Sequence, residues 1–334
     1  MSPGNAPRPA AVYGVDIGKN IFHVVGLDSG GEPIQRARFR RNTLLQFFER
    51  AAPAVVGMES CAGSQWIARR LHALGHKVRL ISAQFVKPYV KSNKSDIIDA
   101  EAIAEAATRP TMRFAAIKSE EQADLQALHR VRDQMIGTRT RLINQMRAFC
   151  LEYGTALRQG AGLFKLDLPL VLDDASNDLS PAMRKLLMDL FADLRQLEQR
   201  IDDVTREIAG IADREDVARR LMTIPGIGAL GATALLAAVD NGRQFQKARD
   251  LAAWLGLVPR EHSTGGKQKL LGISKRGNRS SASSWFMEHD RASVIWIERG
   301  IALEAGLMVF RAGCTRTRPL SHLPPRWRVL SGLC

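Results

Sequence analysis

Four carboxylates stand where they could act together. Asp16 closes a short β-type run, Glu59 closes another, and Asp96 and Asp99 lie three apart on a segment of helical periodicity. An i,i+3 spacing projects both side chains from one helix face, with Cβ atoms roughly 5–6 Å apart. Strand ends beside such a face can bring all four acids to one point. Gathered carboxylates raise one another's pKa unless cations compensate, so the fitting occupant is Mg2+ (or Mn2+), hard ions that take oxygen ligands. Two such ions about 3.5–4 Å apart stabilise both the attacking and the leaving oxygen of a phosphoryl transfer. Each acid alone has a plainer use, Asp96 as a helix cap among them; the set of four points to a metal. Asp28 reads as a turn residue, and Glu101 and Glu105 as solvent-facing.

A second constellation is Pro259-Arg-Glu-His-Ser-Thr-Gly-Gly-Lys267, followed by Gly272-Ile-Ser-Lys-Arg-Gly-Asn278. It offers hydroxyls, glycines and cations but no carboxylate suited to a metal. A serine on a glycine-rich loop among Arg260, Lys267, Lys275 and Arg276 can attack a phosphodiester, because the cations stabilise charge developing on the phosphorus oxygens. Gly265 and Gly266 let the backbone approach, and His262 can assist proton transfer. The same residues also suit a loop that only grips phosphate.

The elements that must position these residues follow from periodicity. Ala11–Val15 and Ile21–Leu27 read as a β-hairpin, Pro33–Arg41 as a third strand, Thr43–Ala51 as a helix, and Ala54–Met58 as a buried strand that delivers Glu59. Ser64–Leu74 is a helix stopped by Gly75, Lys77–Ile81 a fifth strand, and Asp96–Ala107 a helix with Ile97, Ala100, Ile103, Ala104 and Ala107 at helical spacing. This βββαβαβ order and its closing helix predict an α/β domain with a mixed sheet over residues 1–115. Residues 116–212 read as two long antiparallel helices, partly coiled-coil, with a stripe of Leu125, Leu128, Val131, Met135, Leu142 and Met146 that serves either core packing or self-association. Residues 213–279 form a mostly α domain with Phe245, Leu251, Trp254 and Leu257 as core. There Pro225-Gly226-Ile-Gly228, between two helical stretches, resembles a helix-hairpin-helix, whose glycines let N–H groups meet a phosphate; a plain interhelical turn uses the same residues.

The chain has 334 residues, 45% hydrophobic and 25% charged, which excludes a disordered tail protein and fits about two domains of ~150 residues. No apolar run approaches the roughly 18–20 residues of a membrane span, and MSPGNAPRPA lacks the regions of a signal peptide, so a cytoplasmic protein with no membrane partner is expected. Four scattered cysteines support neither a disulfide framework nor a cysteine-rich zinc site. Lys+Arg 48 against Asp+Glu 34 gives a net charge of +14, which favours polyanionic partners such as DNA or RNA. The excess is local. Ser60–Ser95 holds Arg69, Arg70, Lys77, Arg79, Lys87, Lys91 and Lys94 with no acid, and Arg260–Arg279 holds six basic residues against Glu261. Both read as phosphate-facing surfaces.

The combination VDIGKN at Val15–Asn20, GMES at Gly57–Ser60, KSDIIDAEAIAE at Lys94–Glu105, IPGIG at Ile224–Gly228 and GLVPREHSTGGKQKLLGISKRGN at Gly256–Asn278 resembles the DEDD transposases of bacterial insertion sequences, the insertion-sequence-110 family with its 1111 subgroup. The resemblance covers about residues 11–279. It implies a RuvC-like N-terminal domain of ribonuclease H-like fold, with Asp16, Glu59, Asp96 and Asp99 as the catalytic, metal-binding acids. It also implies a nucleophilic serine in the C-terminal domain. Ser263 is the best match, and Thr264 beside it leaves the register open by one residue. Further implications are a homo-oligomer (dimer or tetramer), DNA of the element ends and the target as partner, a guide (bridge) RNA, and a nucleoid-associated location in a bacterium.

After Arg279 the pattern is lost. Where the family expects a leucine-rich helix containing HGAR, the chain reads Ser280-Ser-Ala-Ser-Ser-Trp-Phe-Met-Glu-His-Asp-Arg291. The forced codon letters of Trp285–Asp290, read from the last base of the Trp codon, give Val, His or Tyr, Gly, Ala or Thr, and Arg or a stop. VHGAR is therefore available in another frame. A frameshift between about codons 279 and 284 would make residues 280–334 an aberrant tail and put activity in doubt; a divergent but genuine basic tail is the alternative. Two rival functions stand beside a transposase: a RuvC-like nuclease whose acids activate water, and a non-catalytic nucleic-acid-binding relic.

Overall fold

The computed structural model of the protein describes residues 6–91, 95–239, 242, 245, 247–256 and 258–274. Lys94, Leu257, Lys275, Arg276 and the 280–334 tail, all singled out above, lie outside the described residues. By contact the chain divides into two compact units, Met1–Ile208 with Thr233–Asp240 and Ala209–Ala232 with Asn241–Cys334. Each is described by itself.

The first unit opens with three antiparallel strands, β1 (Val12–Ile17), β2 (Ile21–Leu27) and β3 (Pro33–Arg40). The β1–β2 turn is closed by the Gly18 N–H donating to the Ile21 carbonyl at 3.1 Å. Asp28 shapes the next turn, its Oδ1 accepting from the Gly30 and Glu32 N–H groups at 2.8 and 2.9 Å, as an Asx turn requires. Helix α1 (Arg41–Arg50) leads to β4 (Val55–Glu59), and α2 (Ser64–Ala73) to β5 (Lys77–Ile81); β1, β4 and β5 are mutually parallel neighbours. A short α3 (Ala83–Val86) and a 3₁₀ turn at Lys87–Tyr89 precede α4 (Asp96–Thr108). The sheet order is β3-β2-β1-β4-β5-β6, the last being the two-residue edge strand Phe114–Ala115 antiparallel to β5. The expected mixed α/β sheet is therefore present, with β6 and α3 too short to be legible from periodicity.

Period-2 alternation divides the sheet between two cores. Tyr13, Val15, Phe22, Val24, Val56 and Met58 face α1 and α2, packing on Leu44, Phe47, Phe48, Ile67 and Leu71. Tyr13 meets Phe47 and Phe48 edge-on, with ring centroids 5.7 and 5.4 Å apart. On the opposite face Val12, Val25 and Leu27 pack on Ala100, Ile103, Ala104 and Ala107 of α4. Of the apolar stripe expected on α4, Ile97 is 38% exposed, because it sits in the first turn, beyond the covered part of the sheet.

Helix α5 (Glu120–Glu152) begins with a capping box between Ser119 and Gln122. It is followed by α6 (Ala161–Asp173), which was not anticipated, and by α7 (Pro181–Arg214). Ile143, Met146 and Cys150 of α5, Phe164 and Leu168 of α6, and Leu187, Phe191 and Leu194 of α7 form one core. The Arg132 guanidinium donates to Thr205 Oγ1 at 2.8 Å further along α5 and α7, so the two long helices run antiparallel as expected. The expected stripe needs correction. Val131 is 45% exposed, and Ile143 and Cys150 take buried positions in the seam, since a 3.6-residue period drifts off a strict heptad over a helix of this length. His129 on α5 pairs through Nε2 with Thr233 Oγ1 at 3.0 Å. Burial, then the charge of Arg132, lowers its pKa from 6.5 to about 4.

In the second unit α8 (Asp216–Met222) and the start of α9 (Ala229–Val239) flank the Ile224–Gly228 turn, and α10 (Ala248–Leu255) ends at Gly256 in the left-handed conformation. Strands β7 (Pro259–Glu261) and β8 (Leu270–Ile273) pair antiparallel. Among the described residues no helix is long and apolar enough to cross a membrane.

Candidate active site

Asp16 and Glu59 are placed by register. β1 and β4 are parallel with Val15 opposite Met58, so Asp16 and Glu59 are the next pair, side by side at the C-terminal ends of adjacent strands. Val12 and Val55 pack on the α4 side, whereas Val15 and Met58 pack on the other; by alternation Asp16 and Glu59 point to the α4 side. Helix α4 comes unusually close there. A Cβ built on Gly14 would lie 2.0 Å from the Ala100 carbonyl oxygen and 2.8 Å from Ala104 Cβ, and one on Gly57 would lie 2.6 Å from Ala107 Cβ. Two strand glycines and an alanine-lined helix thus let backbone lie against backbone, and the first turn of α4, carrying Asp96 and Asp99, arrives over the strand ends.

The electrostatics record this convergence. Burial, then the charges of Asp96 and Asp99 and more weakly Glu59, push the Asp16 carboxyl above the ordinary carboxylate range, against the opposing pull of His23. The neighbouring Cys61 thiol is pushed up by burial and by the charges of Glu59 and Asp16. Asp96 is open to solvent, its side chain 62% exposed, so the cluster is a half-buried trough with one accessible wall.

His23 belongs to this cluster and went unread in the sequence. The β1–β2 register sets it opposite Asp16, and its Nδ1 lies 3.5 Å from Asp96 Oδ2. One ligand atom each from Asp16, His23 and Asp96 falls within 4.8 Å of the others. Nδ1 is buried without a hydrogen-bond partner. A set of carboxylate oxygens with an unsatisfied imidazole nitrogen fits a divalent cation by the chemistry of its donors. The signal available in the sequence was a histidine inside the apolar strand IFHVV, seven residues after Asp16 across a tight turn.

Glu101 and Glu105, expected to face solvent, are instead paired. Glu101 takes the Arg36 guanidinium at 3.0 Å, and Glu105 takes Lys91 at 3.0 Å and Arg109 at 2.5 Å. The basic run before α4 is accordingly less free than its composition suggested. Lys91 is held by Glu105, Arg69 donates to the Lys118 carbonyl at 3.0 Å, and Arg79 donates to the Ala107 carbonyl and lies over Phe114.

In the second unit the serine segment is a β-hairpin rather than a loose loop. Thr264 and Lys267 bridge across a two-residue turn in which Gly265 and Gly266 have φ of +58° and +76°; both central residues of a type I′ turn need positive φ. The His262 N–H donates to the Lys269 carbonyl at 2.9 Å. Ser263, Arg260 and Lys267 are exposed. The Ser263 hydroxyl donates to Glu261 Oε1 at 2.5 Å, so the acid two residues before the serine, rather than the adjacent His262, meets the hydroxyl. At the other motif Gly226 has φ +89°. Ile224 and Ile227 are buried while Pro225, Gly226 and Gly228 are exposed, which anchors the turn and presents its backbone outward.

A transposase domain model of the DEDD type of IS110 elements matches residues 13–154, and the model of the transposase IS116/IS110/IS902 family matches residues 218–292. The chain is 43% identical over 269 residues to the transposase for insertion sequence element IS1328 of Yersinia enterocolitica, covering 80% of each chain. It is 42% identical over 267 residues to the transposase for IS1111A of Coxiella burnetii, covering 80% of this chain and 73% of that one. A pilin gene-inverting protein of Moraxella bovis is 43% identical over 70 residues, 20% of this chain and 21% of its own. The chain belongs to the IS110 family of transposases, enzymes that cleave and rejoin DNA.

Proposed function

We propose that the protein transposes an insertion sequence through two chemical groups, a metal-binding acid cluster (Asp16, Glu59, Asp96, Asp99) in a RuvC-like, ribonuclease H-like domain and a nucleophilic serine, Ser263. The observation that carries this reading is the convergence of four acids, Asp16 and Glu59 at the ends of adjacent parallel strands and Asp96 and Asp99 in the first turn of the helix packed over them, a concentration of negative charge that is costly unless a cation offsets it. Mg2+ or Mn2+ held there would neutralise charge on a scissile phosphate and favour the leaving oxygen. Ser263 Oγ forms a bond to phosphorus as the bond from phosphorus to a sugar oxygen breaks; the hydroxyl proton passes to the Glu261 carboxylate that accepts its hydrogen bond, and the departing sugar oxygen takes a proton from solvent. Arg260, Lys267, Lys275 and Arg276 grip the phosphates. Pro225, Gly226 and Gly228 act as a helix-hairpin-helix contact to the DNA backbone, and Lys94 as a further phosphate contact. DNA is the substrate, a bridge RNA supplies sequence choice, and the chain works as a homo-oligomer. Residues 280–334 are the product of a shifted frame, which resequencing from codon 270 onward tests directly.

The deciding experiment is covalent trapping on DNA carrying an element end. The full chain is expected to form a protein–DNA adduct that Ser263→Ala abolishes and that Thr264→Ala leaves in place. An adduct that survives Ser263→Ala overturns the nucleophile. Free 5′-phosphate ends with no adduct favour the nuclease reading, and salt-dependent binding without cleavage under any metal condition favours the relic.

A further inference from the structure

We infer that His23 is a direct ligand of the cation in the acid cluster, through Nδ1, and that it biases the site toward Mn2+ over Mg2+. The inference rests on the reading of the acid cluster as a divalent-metal site and adds a nitrogen donor to it. Three independent features support it. The antiparallel register sets His23 opposite Asp16, on the sheet face over which α4 delivers Asp96. Nδ1 and carboxylate oxygens of Asp16 and Asp96 lie within 4.8 Å of one another, close to the roughly 4–4.6 Å that two bonds of about 2.0–2.3 Å to one ion can span. Nδ1 is also buried without a hydrogen bond, 3.5 Å from Asp96 Oδ2 and with the imidazole only 14% exposed, an arrangement that a cation held between the two donors would satisfy. A purely carboxylate site prefers hard ions, whereas an imidazole nitrogen adds more affinity for transition ions than for Mg2+.

The test is metal binding by the full chain. Wild-type protein with substoichiometric Mn2+ is expected to show ¹⁴N modulation in its electron spin-echo envelope, changed to a ¹⁵N pattern by ¹⁵N-histidine labelling and lost in His23→Gln. His23→Gln should weaken Mn2+ binding roughly tenfold, the factor that even an outer-shell partner of a metal site commands, and weaken Mg2+ binding, read by competition, by less. Absence of nitrogen modulation in wild type, its persistence in His23→Gln, or equal weakening of both ions overturns the inference. If His23→Gln does not fold, the labelled wild-type spectrum decides alone. Asp16→Asn separates the two readings. If it abolishes Mn2+ binding while His23→Gln changes nothing, only the histidine ligand is wrong; if Mn2+ binding survives Asp16→Asn, the acid cluster is not the metal site and the inference falls with it.

Discussion

Asp16 is held in a position that is unfavourable for an isolated carboxylate. Its folded pKa lies above the unfolded one because of burial and the surrounding acids, so above that folded pKa the ionised form opposes folding, and this cost disappears as pH falls. In chelator at neutral pH, Asp16→Asn is therefore expected to raise the melting temperature while abolishing strand cleavage. Added Mn2+ should stabilise the wild type and not the variant. A variant that melts lower than wild type in chelator would show that Asp16 is a structural residue. His23 and Glu261 extend the residue-scale picture, one turned into the acid cluster and the other beneath the serine hydroxyl. Neither was legible, because each depends on a cross-strand or i,i+2 contact that residue type alone does not announce.

At the scale of elements the decisive contact is α4 on β1 and β4. Gly14 and Gly57 read in the sequence as ordinary members of strands, yet they allow the helix to settle onto the sheet until its first turn overhangs Asp16. Gly14→Ala would drive a methyl group against the Ala100 backbone, and backbone cannot yield as a flexible side chain can. We expect destabilisation of about 2–4 kcal/mol in urea titrations, with loss of cleavage in whatever fraction remains folded. Full cleavage with unchanged stability would mean that α4 does not need this approach. The serine hairpin illustrates the opposite case. The segment read as a glycine-rich loop, yet Gly265 and Gly266 take the positive φ of a type I′ turn, so the local turn chemistry of the two glycines was sufficient to form it.

For the whole molecule, the long helices bring together residues far apart in the chain. His129 on α5 meets Thr233 on α9, and its lowered pKa means that the folded state resists its protonation. That contribution to stability is complete above the unfolded value of 6.5 and is lost as pH falls through about 4. Thermal melts should show a decline across this window that is shallower in His129→Gln, and identical pH profiles would remove His129 from the account. The basic excess is likewise redistributed by folding. Arg69, Arg79 and Lys91 serve internal contacts, whereas Arg260 and Lys267 beside Ser263 remain exposed.

The order of β1 to β5 with α1, α2 and α4, the antiparallel long helices, and the positions of Asp16, Glu59, Asp96 and Asp99 at element ends were readable from the chain, because periodicity, capping and turn chemistry are local. The family was readable too, from motifs whose residues are contiguous. Only the tertiary structure decided which face of the sheet Asp16 and Glu59 share, why Gly14 and Gly57 must lack a side chain, that His23 joins the acids, and that Glu101, Glu105 and Lys91 are paired with partners. These depend on register and on the approach of elements distant in sequence, and such contacts leave no period along the chain.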